Sequence, residues 1–359
     1  MGSSGQQTDT LARALYLGGL FPGCTGLQRL WALRELGYDV STFDFDPFVR
    51  KGPRLVRALH HWLTFGPRLE ALNYRIKAFA KRQPPSRLAW VSKGTWVKAT
   101  TVRALRAQGE AFVIHFTPDS ALRRNCTRHF IRALPEYDAC ITSKSWEVPD
   151  YRQSGARRVV CIPQGVNTQF FRPMQLSDAD CLRLSSEVCF IGRSEPHYVQ
   201  LIKTVAELGV DLAVWGNWTD SVKRFPVLRG VFRGKGVWGE EYVKAINAAK
   251  IGLGLLSAYV GDQATTRTFE IPACGTMLLA ERTHEHQSYF EEGKEAEFFS
   301  SAEEMAEKIK YYLANDSARE RIAQAGRSRV LVSGYDVRER MRTGLRACLR
   351  ETPFESIAP

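Results

Sequence analysis

Short apolar runs alternate with helical segments along this chain, and the alternation constrains the fold more than any other feature. The runs at 14–19, 40–45 and 88–91 are too short for buried helices. Between the first two, leucines recur with helical spacing until Gly37. Strands that alternate with helices favour parallel sheets covered by helices on both faces. The pattern therefore predicts an α/β protein.

The alternation restarts after a polar, proline-containing segment at 171–181, which we interpret as an interdomain linker. Further predicted strands lie at 111–116, 138–142, 159–162, 188–191, 212–215, 251–256, 277–280 and 297–299. At 359 residues the chain is long enough for two full cores. We therefore predict two doubly wound, Rossmann-like domains, 1–173 and 174–334, that face a cleft.

The segment 265–276 joins two predicted strands and carries the most informative polar residues. Thr265 and Thr266 are suited to cap a short helix, whose free N–H groups attract anions. Arg267 adds a planar fork for phosphate oxygens, and Glu270 adds a carboxylate of the kind that binds ribose hydroxyls. A proline and a glycine further on are expected to end the helix. Together these residues indicate a nucleotide-sugar site; the alternative is a helix whose arginine and glutamate only pair.

This segment and the residues that follow resemble the CgeB-like (spore-maturation type) glycosyltransferases, relatives of the retaining enzymes with the GT-B fold. The resemblance is carried by 265–276, 281–283, 290–295, 325–327 and Tyr335, and it spans roughly 187–349. The retaining relatives carry two acidic residues separated by seven, and Asp262 and Glu270 have that spacing here. The resemblance thus implies a GT-B glycosyltransferase, retaining rather than inverting, with Asp262 and Glu270 as catalytic candidates.

The same resemblance implies where the donor binds. A UDP- or GDP-linked sugar would contact Gly192, Arg193, Thr266, Arg267 and Glu270. The two arginines could offset charge on the diphosphate leaving group, so no metal ion and no other cofactor is expected. In GT-B relatives the last helix returns to the first domain, and we expect this of 335–359.

In the first half, polar residues and glycines follow the predicted strands. We expect the carboxyl ends of parallel strands to form the ligand-binding edge. The candidates for the acceptor side of the cleft are Gly18, Gly19, Gly23 and Lys93, and those for catalysis are His115 and Asp119. A strand-end histidine satisfied in the core and an aspartate that caps a helix are the structural alternatives for the last two.

Positive charge is concentrated in the first half. Residues 1–173 hold 26 Lys and Arg against 12 Asp and Glu, whereas 174–359 hold 24 against 26. The segment 50–82 has nine cations and one acid, with apolar and aromatic residues at helical spacing. It is either an ordinary solvated helix face or a surface for anionic lipid or an acidic acceptor. An anionic glycan, a membrane surface or, less favoured, a nucleic acid is the expected partner.

Other patterns indicate a reducing, cytoplasmic setting, with possible peripheral membrane contact. The eight cysteines are scattered without a Cys-x-x-Cys pair, and the apolar start at 11–24 is interpreted as a strand rather than a signal peptide. No histidine or cysteine grouping has zinc-ligand spacing. The pairs Asp44/Asp46 and Asp178/Asp180 match an unspecific metal-binding pattern, which we interpret as solvated or capping carboxylates.

These observations predict a glycosyltransferase that acts on an anionic or membrane-associated acceptor in cell-surface polysaccharide or glycoconjugate synthesis. Three alternatives remain open. A nucleic-acid base glycosyltransferase would explain the basic half, although no base-stacking module is evident. A non-catalytic nucleotide-sugar-binding protein and a sugar-nucleotide epimerase would use a similar two-domain fold.

Overall fold

The computed structural model describes residues 12–49, 66–123 and 126–359 of the chain. These residues divide into two compact units. The first unit comprises the chain up to Pro163 together with Val337–Pro359, and the second unit comprises Gln164–Asp336. The predicted basic segment 50–82 is described only from residue 66 onward. Among the described helices, none is both long enough and apolar enough to cross a membrane.

The first unit contains a parallel sheet that has six strands within the described residues. The strands are β1 Arg13–Gly18, β2 Asp39–Asp44, β3 Leu88–Ser92, β4 Phe112–Thr117, β5 Ala139–Thr142 and β6 Val159–Cys161. Their order is β2-β1-β3-β4-β5-β6, so the direction of winding reverses between β1 and β3. Such a reversal opens a crevice at the carboxyl ends of the two strands.

Helices cover both faces of this sheet. They are α1 Thr25–Glu35, α2 Asp46–Val49, α3 Pro67–Arg82, α4 Ala99–Ala107, α5 Arg128–Ala133 and α6 Val148–Gln153. Leu15 and Leu17 of β1 pack in the cluster that contains α3, α4 and α5 residues, while Ala14 and Tyr16 pack in the opposite cluster with α1. Because both faces are buried, the strand is apolar along its length rather than alternating.

The second unit repeats this architecture with a different strand order. Its strands are β7 Ser186–Ile191, β8 Leu212–Trp215, β9 Phe232–Gly234, β10 Ala249–Gly254, β11 Met277–Glu281 and β12 Glu297–Phe299. All described pairings are parallel, in the order β12-β11-β10-β7-β8-β9. Read in sequence order this is the 3-2-1-4-5-6 arrangement of dinucleotide-binding sheets, with its switch point between β7 and β10.

Eight helices are described around the second sheet: α7 Asp178–Leu184, α8 Pro196–Glu207, α9 Thr219–Arg224, α10 Glu240–Asn247, α11 Arg267–Ala273, α12 His284–Tyr289, α13 Ala302–Ala314 and α14 Asp316–Val332. One face buries Val188 and Phe190 with α8 and α13, and the other buries Ile191 with α10 and α11. Short 3₁₀ turns occur at Leu134–Glu136, Ser145–Glu147, Pro226–Arg229 and Glu355–Ile357.

The last helix, α15 Val337–Leu349, belongs to the first unit, where the resemblance to GT-B proteins places it. Met341 and Leu345 join the cluster of α1, and the helix also contacts β6. Arg158 Nη1 donates hydrogen bonds to the carbonyls of Cys348 and Arg350, which would otherwise be unpaired at the helix end. The chain thus leaves the first sheet and returns to cover it.

The structure differs from the predicted boundaries near the linker. The division between units falls after Pro163, and 164–173 lies in the second unit, where Thr168 donates from its N–H and hydroxyl to Asp336. Part of the predicted linker is α7, capped by the Ser177 hydroxyl. Strand β9 was not predicted, because three half-buried residues give too short a pattern to detect.

The structure corrects the predicted end of α11 and defines the starts of α13 and α14. Pro272 lies inside α11, one residue before its end, where little helix remains for it to disrupt. Ser301 caps α13, since its hydroxyl accepts from Glu304 N–H. Helix α14 begins at Asp316, whose carboxylate pairs with Arg319.

Candidate functional site

The carboxyl ends of β7, β10 and β11 bring the charged residues of the second unit together. The loop 192–195 follows β7, and the loop 255–266 follows β10, on the two sides of the switch point. Both loops belong to one unit, so their geometry is set by one sheet. Ligands of such sheets bind outside this edge.

Arg267, predicted as a phosphate ligand, connects the two loops. Its Nη1 donates to the carbonyl of Ile191 at 3.3 Å, and its Nη2 donates to the carbonyl of Leu255 at 3.1 Å. The guanidinium lies 5.5 Å from the ring centre of Phe190, and its Nε is buried without a hydrogen-bond partner. Two of the guanidinium nitrogens of Arg267 are therefore used to hold the backbone frame of the site, which is formed by the ends of β7 and β10.

Arg193 lies at the same edge of the sheet, and its side chain is 70% exposed. Its Nη2 lies 2.9 Å from an oxygen of Glu195, a buried carboxylate that the sequence did not single out. The other oxygen of Glu195 accepts from the Ser257 hydroxyl at 2.8 Å. Glu195 therefore ties the loop after β7 to the loop after β10 and restrains Arg193.

A second pair that the sequence did not single out lies beside it. His197 Nε2 lies 2.7 Å from Glu281 Oε2, at the end of β11. Glu281 Oε1 accepts from the backbone N–H of Leu256 at 2.6 Å. Because a carboxylate can only accept, Nε2 carries the proton in this contact. The pair orients the imidazole at the same edge of the sheet.

The surroundings of Tyr198 show how closely the charges converge. Burial raises the pKa of its hydroxyl, Arg267 lowers it, and the carboxylates of Glu195, Asp262 and Glu281 raise it further. The charges of these four groups therefore act on one phenol. Asp262 and Arg267, both predicted from the sequence, thus lie within electrostatic range of the same hydroxyl.

Glu270 is buried, and its Oε2 accepts from the Tyr242 hydroxyl at 2.8 Å. The pKa of Tyr242 is raised well above its ordinary value, first by burial and then by the Glu270 charge, while Arg267 lowers it. Glu270 and Arg267 therefore share one environment. The sequence did not indicate Tyr242, because it lies on α10, remote along the chain.

The predicted threonine cap of α11 was wrong. Thr266 has helical backbone angles and its side chain makes no capping bond. Instead, Thr268 Oγ1 accepts from Thr265 N–H at 3.0 Å and contacts His286 Nε2 at 2.9 Å. His286 Nδ1 lies 2.6 Å from the Glu281 carbonyl, which can only accept, so Nε2 is the acceptor for the Thr268 hydroxyl. This relay holds the start of α11 against β11.

Gly192 packs closely against the backbone of the loop after β8. Its N–H donates to Trp215 O at 3.0 Å, and its carbonyl accepts from Trp218 Nε1 at 2.8 Å. Gly216 faces it with φ 140°, a conformation that favours glycine, and a Cβ there would collide with the Gly192 carbonyl. Gly192 therefore shapes the loop that carries Arg193.

The first unit gathers most of its predicted residues at the carboxyl edge of its own sheet. Lys93 Nζ lies 2.6 Å from Asp119 Oδ2, with both side chains about half exposed. Gly18 ends β1 next to Ser92, where a Cβ would lie 2.8 Å from the Ser92 Cβ. Gly19 and Gly23 belong to the following loop. Gly23 has a φ of 81°, a conformation that favours glycine.

His115 lies elsewhere, in the interior of β4. Its side chain is completely buried against Phe130, Tyr137 and Tyr151, and neither ring nitrogen has a hydrogen-bond partner. Burial lowers its pKa to about 3. A neutral imidazole in an aromatic core does not contact a substrate in this conformation, which counts against the predicted catalytic role.

The two Asp-x-Asp pairs are engaged in local structure. Asp44 Oδ1 accepts from the N–H groups of Leu20 and Asp46, and Asp180 pairs with Lys244 and with the Ser177 hydroxyl. In the described part of the chain, no group of three or more His, Cys, Asp or Glu side chains is placed to hold a metal ion.

Comparisons with known proteins agree with this architecture. Residues 193–346 match the family model described as glycosyl transferase-like. No curated protein matches the sequence. This family match starts at Arg193 and contains all the charged residues described above at this edge of the second unit.

Solved structures show the fold. HepE from Anabaena, in complex with UDP-glucose, has a TM-score of 0.64 at 13% identity over 92% of this chain and 98% of that chain. Sucrose-phosphate synthase from Thermosynechococcus elongatus has a TM-score of 0.66 at 16% identity, over 92% and 97%. An α-glucosyltransferase in complex with UDP-glucose and abasic-site DNA has 0.64 at 12%, over 94% and 100%. The chain thus has the two-domain α/β fold of the GT-B class.

Proposed function

We propose that this protein is a glycosyltransferase that uses a nucleotide-sugar donor. The observation that carries the proposal is the grouping of Arg267, Asp262 and Glu270 near one switch point of a 3-2-1-4-5-6 sheet, with Arg193 tied to the same edge through Glu195. These residues lie within 193–346, the segment that matches the glycosyl transferase-like family model. Two of the structurally similar proteins were solved with UDP-glucose, which supports a UDP-linked donor, with GDP as the alternative.

In the proposed mechanism, the donor diphosphate lies at the switch point. Arg193 has an exposed fork that can reach phosphate oxygens, and Glu195 restrains it. Arg267 adds the positive charge of its guanidinium, which the carbonyls of Ile191 and Leu255 hold in place. As the bond between sugar and diphosphate lengthens, negative charge grows on the leaving group, and preorganised cations stabilise it. We therefore propose transfer without a metal ion.

The two carboxylates take different roles in this proposal. Glu270, held by Tyr242, accepts hydrogen bonds from the ribose hydroxyls. Asp262 stabilises the positive charge that develops on the transferred sugar ring. Their spacing is that of the acidic pair in retaining relatives, so we propose retention of configuration. Thr266, directly before α11, and Gly192, directly before Arg193, border the proposed diphosphate site.

The proposed acceptor is an anionic glycan or a membrane-associated glycolipid precursor, used in cell-surface polysaccharide or glycoconjugate synthesis at the cytoplasmic face of the membrane. The proposal rests on the excess of cations in residues 1–173. Helix α3 presents Arg75, Lys81 and Arg82 to solvent, with Tyr74 exposed among them. Lys93 and Asp119 are proposed to contact acceptor hydroxyls at the edge of the first sheet.

Calorimetric titration of UDP, UDP-glucose, GDP and GDP-mannose tests the donor site. Removing the carboxylate charge in Glu270→Gln should cost roughly 2–3 kcal/mol of binding free energy, or about 30- to 150-fold in affinity. Exposed Glu307 provides the control Glu307→Gln, which should bind like the parent. Parent-like affinity in Glu270→Gln would remove the site assignment.

A transfer or donor-hydrolysis assay in excess EDTA tests the catalytic part of the proposal. Because arginines supply the neutralising charge, activity should persist after chelation. Activity that falls to background and returns on addition of Mg²⁺ or Mn²⁺ would contradict the metal-independent mechanism. Product anomers identified by NMR distinguish retention from inversion.

A second candidate is a glycosyltransferase that acts on nucleic-acid bases. The observation in its favour is the basic first unit together with fold similarity to an α-glucosyltransferase solved with DNA. A duplex DNA shift assay, followed by mass spectrometry of the DNA after incubation with UDP-glucose, tests it. Glycosylated DNA would replace the glycan acceptor in the proposed function.

A further inference from the structure

We propose that Arg29 in the first unit binds the oxyanion group of the acceptor, a phosphate in particular. This inference rests on the proposed function, because it names the chemistry of the anionic acceptor. It does not rest on the overall charge of the unit. It is carried by a single buried guanidinium at the start of α1.

Arg29 is only 6% exposed, which is unusual for an arginine that lacks a paired carboxylate. Within the described ranges, no Asp or Glu oxygen lies within 4.0 Å of its side-chain nitrogens. Its Nη2 donates to Thr25 Oγ1 at 3.1 Å, and its Nε is buried with no partner. The guanidinium carbon lies 4.4 Å from the ring centre of Phe116.

A cation in such surroundings is expensive to keep charged. Removing an ionised group from water without a compensating opposite charge costs several kcal/mol, and an arginine does not escape by losing its proton. The hydroxyls of Thr25 and Tyr16 and the ring of Phe116 offset only part of this cost, because none of them carries a negative charge. A bound anion at the guanidinium would compensate this charge.

The position of Arg29 suits a ligand of the first sheet. Thr25 starts α1 directly after the glycine-containing loop that follows β1, and Phe116 lies in β4 at the same carboxyl edge. Tyr16 of β1 is also close: burial raises the pKa of its hydroxyl, and the charge of Arg29 together with side-chain hydrogen bonds from Ser92 and Arg29 lowers it. Its hydroxyl donates to the Gly26 carbonyl at 2.9 Å. Arg29 is therefore held beneath the loop at the β1/β3 switch point, where ligands of doubly wound sheets bind.

The chemistry of the ligand follows from the guanidinium. Its planar set of N–H donors matches oxygens of phosphate or carboxylate two at a time, which a lysine cannot do. Phosphate carries more charge than a carboxylate and gains more from an uncompensated cation. The class we assign is a phosphorylated acceptor, either a soluble sugar phosphate or a lipid-linked phosphate.

Calorimetric titration of inorganic phosphate into the full chain tests the site. Arg29→Met keeps much of the side-chain volume but removes the charge and donors, so phosphate affinity should fall at least about tenfold. Arg34, exposed on the same helix, provides the matched control, since Arg34→Met should bind phosphate like the parent. Arg29→Lys keeps the charge without the fork and should bind about fivefold more weakly than the parent.

The outcomes are distinct. Equal phosphate affinity in the parent, Arg29→Met and Arg34→Met would overturn the assignment, and so would unchanged affinity in Arg29→Lys if the methionine variant does not fold. If glucose 6-phosphate binds the parent but not Arg29→Met, the acceptor is soluble. If phosphatidylglycerol vesicles bind the parent but not Arg29→Met, the acceptor is lipid-linked. UDP titration separates this proposal from the proposed function. If neither the parent nor any variant binds UDP, the proposed function is contradicted. The phosphate titrations still test the role of Arg29 in that case.

Discussion

At the scale of single residues, Arg267 and Arg193 look alike in sequence but differ in physical role. Arg267 donates to the carbonyls of Ile191 and Leu255, the residues that end or follow β7 and β10. Arg193 is largely exposed and contacts only the Glu195 carboxylate among the described bonds. One arginine therefore holds the frame together, and the other is available to a ligand.

This difference predicts separable effects of two alanine variants. Arg267→Ala leaves two partly buried carbonyls without donors and should lower the free energy of unfolding by about 2–3 kcal/mol, besides weakening nucleotide binding. Arg193→Ala should weaken nucleotide binding with an unfolding free energy within about 0.5 kcal/mol of the parent. Urea unfolding and UDP titration measure both quantities.

Arg229, exposed in the same unit, serves as the control, since Arg229→Ala should change neither quantity. Equal loss of stability in Arg193→Ala and Arg267→Ala would show that the two arginines do not divide the roles in this way.

The sequence identified these two arginines but not their partners. Arginine beside glycine after a strand, or beside threonines before a helix, has a recognisable local pattern. Glu195, His197 and Glu281 have no such pattern, because each acts on a residue that is distant along the chain. A glutamate in sequence does not reveal that Ser257 and Arg193 will both reach it.

At the scale of elements, two buried histidines link strand packing to pH. His115 sits in β4 among aromatic rings, and His286 anchors the start of α11 through Thr268. Burial lowers the pKa of His115 to about 3 and that of His286 to about 4. Both imidazoles are therefore neutral in the folded protein across the physiological range.

The expected consequence is loss of stability on acidification. Unfolded histidine has a pKa near 6.5, so between that value and the folded pKa the unfolded state binds more protons and stability falls as pH falls. Each histidine should contribute a loss of about 2 kcal/mol between pH 7 and pH 5. His115→Phe, which fits an aromatic environment, should remove its share of this loss.

Urea unfolding of the parent and His115→Phe at pH 7 and pH 5 isolates the effect, because all other groups are common to both proteins. Exposed His284 gives the control His284→Gln, which should keep the acid sensitivity of the parent. The same pH dependence in His115→Phe and the parent would contradict the assigned cause.

At the scale of the whole molecule, charge is unevenly divided between the two halves of the chain. The described part of the basic segment forms α3, whose inner face packs Leu69, Leu72 and Ile76 in the core. Its outer face carries cations beside Tyr74, which is 67% exposed. An amphipathic helix with an aromatic residue among cations fits an anionic surface as well as water.

Replacing Arg75, Lys81 and Arg82 together by glutamine tests this surface. If α3 contacts an anionic membrane, binding to phosphatidylglycerol vesicles should weaken by roughly 3 kcal/mol, about 1 kcal/mol per cation, and should weaken further with salt. Cosedimentation at two salt concentrations measures the loss. Glutamines at Lys223, Arg224 and Arg229 give a control with the same charge change on the second unit.

Vesicle binding that is equally weakened in both triple variants would indicate attraction by net charge rather than by α3. Vesicle binding by neither the parent nor the variants would leave the cations of α3 as a solvated face. A duplex DNA shift that depends on the α3 cations would favour the base-modifying candidate.

The sequence by itself determined the architecture of the molecule and part of its site. Apolar runs too short for helices, each followed by a helical pattern, leave parallel sheets as the way to bury both strand faces. That pattern predicted both sheets, with β9 missed, and it placed Gly192 and Arg193 after a strand and Arg267 in the segment between two strands. These inferences succeed because local spacing encodes which face of an element is buried.

Only the tertiary structure decided which strands are neighbours and which side chains meet. The order β12-β11-β10-β7 brings Glu281 to His197 and Arg267 to Ile191, and no local pattern specifies this order. The same limit explains His115, which follows the strand-end pattern of a site residue but lies under aromatic rings from α5, α6 and the loop before β5. Burial depends on what packs above a residue, and that contact is made by chain segments far away in the sequence.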